Sequence, residues 1–188
     1  MYKMAVAGMV VGLTALAGCA PTSGVITGSS GPVVGTKASD FQYVSAEGAQ
    51  ATFDKVRYPV AVLAFTSAPG ATCCWLEPRV AGLSEQMHDL PVTVAQVSLP
   101  TGKCPHGKGC TEACNLHKFG LMSLCDADGI VWKAYGKPEA GTVVLIGKDN
   151  MIVQTGMLAD LKPLADKARE LGEAARKEGT AGDRRGIY

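Results

Sequence analysis

The sequence predicts an α/β fold: a central mixed β-sheet flanked by helices, with a cysteine-rich insertion. Three observations carry that expectation. Residues 60–65 form an unbroken apolar run, the pattern of a strand covered on both faces. Leu76, Val80, Leu83 and Met87 follow at the spacing of one helical face. Near the end, residues 142–146, the turn Gly147-Lys148-Asp149-Asn150 and the apolar stretch 151–155 read as a hairpin that leads into a last helix. Strands alternating with helices in this way bury their apolar faces as one sheet with helices packed on it.

Each element has its own signal. Residues 41–44 and 50–53 lie either side of Glu47-Gly48 and suggest a small entry hairpin around a glycine turn. After the first core strand, a turn over residues 67–74 carries Cys73 and Cys74, and a helix is expected over 75–89. Residues 92–99 alternate as a second strand. A short helix is expected over 111–119 and a short strand over 121–125, before the turn Asp126-Ala127-Asp128-Gly129. Asp160 is the expected cap of the final helix, whose Leu161, Leu164, Ala168 and Leu171 share one side.

The rest of the chain divides by composition. Lys3 precedes fourteen uncharged residues, Met4 to Ala17, which is the build of a secretory leader and too short to span a bilayer, where about 20 residues are needed. Residues 1–18 are therefore expected to be a signal peptide. Residues 19–36, rich in Gly, Ser, Thr and Pro, are expected to be a flexible tether. One folded domain is expected over 37–178 and a loose tail over 179–188. Eighteen Lys and Arg stand against seventeen Asp and Glu, and loss of Lys3 with the leader balances them. No basic stripe points to nucleic acid.

Leu16-Ala17-Gly18-Cys19 resembles the lipobox of bacterial lipoproteins. That resemblance implies cleavage before Cys19, a diacylglycerol on its sulfur and a fatty acyl group such as palmitate on its new amino terminus. Several acyl chains on one residue anchor firmly, where a single chain binds marginally. The partner so implied is a membrane. Ala20, rather than aspartate, after the lipidated cysteine implies by the lipoprotein sorting rule an outer-membrane protein facing the periplasm, in a cell with two membranes.

Export leaves six of the seven cysteines for chemistry: Cys73, Cys74, Cys104, Cys110, Cys114 and Cys125. Outside the cytoplasm they can pair as disulfides, exchange electrons or hold a metal. Their pairing does not follow from sequence.

The order of further segments resembles the thioredoxin-like and redoxin (peroxiredoxin-related) group. Lys37-Ala38-Ser39-Asp40-Phe41 resembles its Ala-Pro-Asp-Phe opening. The stretch from Asp126-Ala127-Asp128-Gly129 to Tyr135-Gly136 resembles its Asp-x-x-Gly segment, and residues 143–153 resemble its closing strand, turn and strand. The resemblance implies a thioredoxin-like fold with a reactive cysteine on the turn after the first core strand, at a helix N-terminus. There, unpaired amides and the helix dipole stabilise a thiolate.

Cys73 and Cys74 occupy that place, between Phe65 and Pro78, and are the candidate nucleophiles. Counted from Phe65, the first position of a thioredoxin Cys-x-x-Cys falls on Gly70 and the second on Cys73. The peroxiredoxin Pro and Thr fall on Thr66 and Gly70, or on Ser67 and Ala71, according to which cysteine is aligned. Pro138-Glu139-Ala140-Gly141 has neither the peroxiredoxin arginine nor the thioredoxin cis-proline, with Gly141 in the latter's place. A resolving thiol must then come from elsewhere. Adjacent cysteines are poor partners for each other, because the closed ring strains disulfide geometry. Cys104, Cys110, Cys114 and Cys125 are the candidates for resolving or structural roles.

Three readings stay open. The first is a lipid-anchored thiol–disulfide oxidoreductase or peroxidase-like redoxin of the envelope, acting on a disulfide or peroxide, or with a partner envelope redox protein, and requiring no cofactor. The second is a metal carrier: Cys110, Cys114 and His117 would share a helix face, a donor set suited to Cu or Zn, with Cys104, Cys125 or His106 as a further ligand. Copper chaperones of this fold carry their cysteines on the turn of Cys73 instead. The third is a domain stapled by structural disulfides. Among lesser candidates, Trp75 would cover the site, Trp132 would pack, Glu77 would carry protons or be solvated, and His88 would lie on the surface.

Overall fold

The computed structural model describes residues 31–44, 50–56, 58–68, 76–100, 121–126 and 128–179. Strands β1 (Gln42–Val44) and β2 (Gln50–Thr52) pair antiparallel as the entry hairpin, and α1 (Phe53–Val56) runs on from β2. Asp40 fixes this corner: its Oδ1 accepts the N–H groups of Phe41 and Asp54, each at 2.9 Å. The Phe41 and Phe53 rings then stack with centroids 4.7 Å apart.

The main sheet has five strands: β3 (Val60–Ala68), β4 (Val92–Pro100), β5 (Leu121–Cys125), β6 (Thr142–Ile146) and β7 (Ile152–Met157). Their spatial order is β5-β4-β3-β6-β7. β3, β4 and β5 are parallel, while β6 runs antiparallel to β3 and β7 to β6. The sheet is mixed, as expected.

Period-two alternation sorts the side chains of these strands onto two faces. Ala61, Leu63 and Phe65 join Ala95, Val97, Val144 and Ile146 under the entry hairpin and α3 (Ile130–Ala134). Phe65 meets Trp132 edge-on at 5.5 Å and Tyr135 at 5.3 Å, pairs worth about 0.5–1.5 kcal/mol each beyond burial. Val60, Val62, Ala64, Val92 and Val94 face the other way, under α2 (Pro78–Met87) and α4 (Lys162–Lys177). Val80, Leu83 and Met87 are buried there, with Leu76 packed beside them, which is the expected helical face. α4 comes close enough that a Cβ on Gly172 would sit 2.7 Å from Val92 Cγ2.

The structure corrects the sequence reading at several points. Asp160 does not cap α4. It lies in a 3-10 turn, Leu158–Asp160, and the N-cap is Leu161, without a side-chain cap. Pro163, with its fixed φ and missing N–H, suits the first turn of that helix instead. β4 is covered on both faces from Val92 to Ser98, so its polar residues are buried rather than solvated. α3 was not anticipated. The expected helix over 111–119 and the turn of the entry hairpin lie outside the described residues. Among the described residues, no helix is long and apolar enough to cross a membrane.

Candidate functional site at the carboxyl edge of the sheet

Parallel pairing brings the ends of β3, β4 and β5 to one edge. Ala68 pairs with Pro100, and Ser98 with Cys125. In chain order, β3 leads into the segment with Cys73 and Cys74, β4 into the segment with Cys104, Cys110, Cys114 and His117, and β5 ends on Cys125. Ligands of open α/β sheets bind beyond this carboxyl edge. Cys125 is half-buried there. Cys19, Cys73, Cys74, Trp75, Cys104, His106, Cys110, Cys114 and His117 lie outside the described residues.

β6 starts at the same edge. The Gly141 N–H donates to Phe65 O at 2.7 Å, and Gly141 O accepts the Leu158 N–H at 2.7 Å. With φ of 94°, Gly141 holds a conformation that suits glycine. This is the position that the thioredoxin resemblance gives to a cis-proline, and no cis peptide occurs among the described residues. A proline there would have no N–H to give Phe65. Beside this corner, a cleft of about 350 Å³ opens between Pro32, Pro138, Glu139, Thr142, Gly156 and Met157.

α2 presents its N-terminus toward the edge. Glu77 is its N-cap, and the carboxylate accepts the Arg79 N–H at 3.4 Å, so this side chain completes the helix rather than standing free. The Glu77 N–H donates to Gln96 Oε1 at 2.9 Å. Gln96 Nε2 donates to Ser98 Oγ at 2.8 Å, and Ser98 Oγ lies 3.1 Å from Thr66 Oγ1. All three side chains of this chain are at least 97% buried. Thr66, Ser98 and Cys125 are register partners across three strands, and Ala64, Gln96 and Ser123 form the rung below. A polar patch therefore interrupts an otherwise apolar face, at the carboxyl end of these strands.

On the other side of β5, Asp126 is buried and accepts the N–H groups of Val131 at 3.2 Å and Trp132 at 2.7 Å, which starts α3. Trp132 is packing, as expected. His88 is exposed, with Nδ1 at 2.8 Å from Glu85 O and Nε2 at 2.9 Å from Asp89. Among the described residues, no group of three His, Cys, Asp or Glu side chains is placed to hold a metal ion. The sequence reading missed the Thr66–Ser98–Gln96 chain. Its signal was present: Gln96 and Ser98, spaced by two, are polar residues on the strand face that also carries Val92 and Val94.

No protein-family model matches the chain, and no curated protein matches it. Solved structures do match. A protein from Sinorhizobium meliloti 1021 of undescribed function is 20% identical, with a TM-score of 0.56 over 73% of this chain and 85% of that one. The thioredoxin domain of a thiol-disulfide oxidoreductase from Bacteroides vulgatus is 14% identical, with a TM-score of 0.53 over 74% of this chain and 98% of that one. The peroxidoxin BcpB of Mycobacterium tuberculosis is 18% identical, with a TM-score of 0.52 over 76% and 97%. The fold is thioredoxin-like, in agreement with the resemblance drawn from sequence.

Proposed function

We propose that this chain is a thiol–disulfide exchange protein of the bacterial envelope, anchored through lipid on Cys19, with Cys73 or Cys74 as nucleophile. The observation that supports it is the gathering of the ends of β3, β4 and β5 at one carboxyl edge, where Cys125 lies and after which the chain continues into the cysteine-bearing segments. Exchange needs an attacking and a resolving thiol. The thiolate attacks one sulfur of a substrate disulfide, forms a mixed disulfide and releases the other sulfur as a thiolate that takes up a proton. A second thiolate from the 104–125 cluster then attacks the protein's sulfur in that mixed disulfide. It expels the remaining substrate thiolate and leaves an internal disulfide. The substrate gains two electrons, and the protein loses two, to be restored by a partner redox protein. With a peroxide, the thiolate takes the terminal oxygen as a sulfenate, the alcohol leaves, and the second thiol condenses with loss of water. The exchange draws on no metal or organic cofactor.

The test is to mix reduced protein with oxidised glutathione and follow glutathione release and the mass of the protein. Exchange is expected in the wild type and lost in the Cys73→Ser, Cys74→Ser double variant. A double variant that exchanges as fast as the wild type would contradict the assignment. The carrier alternative predicts instead that Cys110→Ser and Cys114→Ser abolish stoichiometric Cu or Zn binding.

A further inference from the structure

Among the described methionines, Met87 and Met122 are buried and Met151 is half-buried, while Met157 is 42% exposed. Met157 closes β7, where it pairs in register with Thr142, the first residue of β6. The backbone holds it in place. The next residue, Leu158, gives its N–H to Gly141 O at 2.7 Å, and a Cβ on Gly141 would lie 3.4 Å from Met157 Cε. With Pro32, Pro138 and Thr155, Met157 lines the cleft of about 350 Å³ beside this corner. That space is well above the roughly 30 Å³ share of one water, so a small solute can enter beside Met157.

Thr142 Oγ1 donates to Met157 Sδ at 4.0 Å. A thioether is a weak acceptor, and among the described residues it is the only one this hydroxyl has. A sulfoxide oxygen accepts far more strongly. Added on the side of the sulfur that faces Thr142, that oxygen would lie between the two atoms, within hydrogen-bond reach of Oγ1. Added on the other side, it would miss this donor. The hydroxyl therefore favours one of the two sulfoxide epimers.

We infer that Met157 is a site of sulfoxidation by peroxides, with Thr142 as the hydroxyl that directs the incoming oxygen to one side of the sulfur. The sulfur lone pair attacks one oxygen of hydrogen peroxide, and the O–O bond breaks. The other oxygen keeps that electron pair, takes the proton shed by the transferred oxygen and leaves as water. With an organic hydroperoxide it leaves as an alcohol. Sulfur loses two electrons and the peroxide gains them. The product makes an apolar wall of the cleft polar and adds a hydrogen bond between the paired ends of β6 and β7. No thiol takes part in this step, so the inference stands apart from the exchange reading.

The experiment treats the folded full chain with hydrogen peroxide, removes the excess with catalase and digests the protein. Fragment mass spectrometry then separates sulfoxide at Met157 from sulfoxide at Met151. Portions of the digest are incubated with dithiothreitol and a sulfoxide reductase specific for one epimer or the other. Met157 is expected to oxidise ahead of Met87, Met122 and Met151. One reductase should restore about five times as much Met157 as the other, the weight of one net hydrogen bond. Thr142→Val, which keeps shape and strand preference, should still oxidise at Met157 but yield the two epimers equally. Thr142→Ser should keep the wild-type ratio. The inference is overturned if Met157 oxidises no faster than the other three, or if the wild type yields the epimers equally. It falls as well if Thr142→Val keeps the excess, since the surrounding fold and not the hydroxyl would then choose the side. Should Thr142→Val not fold, Thr142→Ala removes the same donor and is read in the same way.

Discussion

The carboxylate of Asp126 accepts the backbone N–H of Trp132 at 2.7 Å, which ties the end of β5 to the helix whose indole packs on Phe65. One residue so joins the site's edge to the core beneath it. Asp126→Ala leaves two buried amides without acceptors and is expected to cost about 1–3 kcal/mol of stability. Asp126→Asn, with one carbonyl oxygen, should cost less. Urea unfolding of the two variants checks the order.

Two glycines should respond in opposite senses to alanine. At Gly172 the new Cβ would lie 2.7 Å from Val92 Cγ2 and 3.1 Å from Leu90 Cβ, so crowding of about 1–3 kcal/mol outweighs the gain in helix propensity. At Gly82 on α2, nothing lies within 4 Å, and alanine should stabilise by up to about 1 kcal/mol. Thermal unfolding should show Tm falling for Gly172→Ala and rising for Gly82→Ala.

Installing proline at Gly141 should not rebuild a thioredoxin corner. The substitution removes the N–H that Phe65 O accepts at 2.7 Å and demands a negative φ where the chain has 94°. A loss of about 3 kcal/mol or more is expected, read as a shift of the urea midpoint. A variant as stable as the wild type would show that this corner accepts proline.

At the opposite end of the sheet, Glu178 lies 3.0 Å from Lys148 and raises that ammonium above 10.5, by its hydrogen bond first and its charge second. A lysine raised in the folded state contributes stability below its unfolded pKa and loses it as pH rises through the folded one. The effect is therefore confined to strongly alkaline solution. An NMR titration should place the Lys148 midpoint above that of the Glu178→Gln variant. Coincident midpoints would count against the pair.

Where burial alone decides structure, the sequence was legible. The apolar runs at 60–65 and 142–146 became β3 and β6, and the spacing of Val80, Leu83 and Met87 became the buried face of α2. α3 was not legible, because five residues are too few to show a period. Asp160 misled because a good capping residue preceded a helix that a 3-10 turn and Pro163 start without one. The spacing of Gln96 and Ser98 marks the polar patch, but its contacts between residues 19 and 32 apart are not reported by any local pattern. At the site, the sequence named the cysteines, and the fold showed that the strands preceding them in the chain end at one edge. Of the six, Cys125 alone lies among the described residues.

The most direct test of the central claim is to map thiols and disulfides on the purified protein by mass spectrometry, before and after mild reduction. The exchange account predicts a bond between Cys73 or Cys74 and a cysteine of the 104–125 cluster, opened by mild reductant. Six cysteines locked in bonds that resist mild reduction would contradict it and leave a stapled, non-catalytic thioredoxin-like domain.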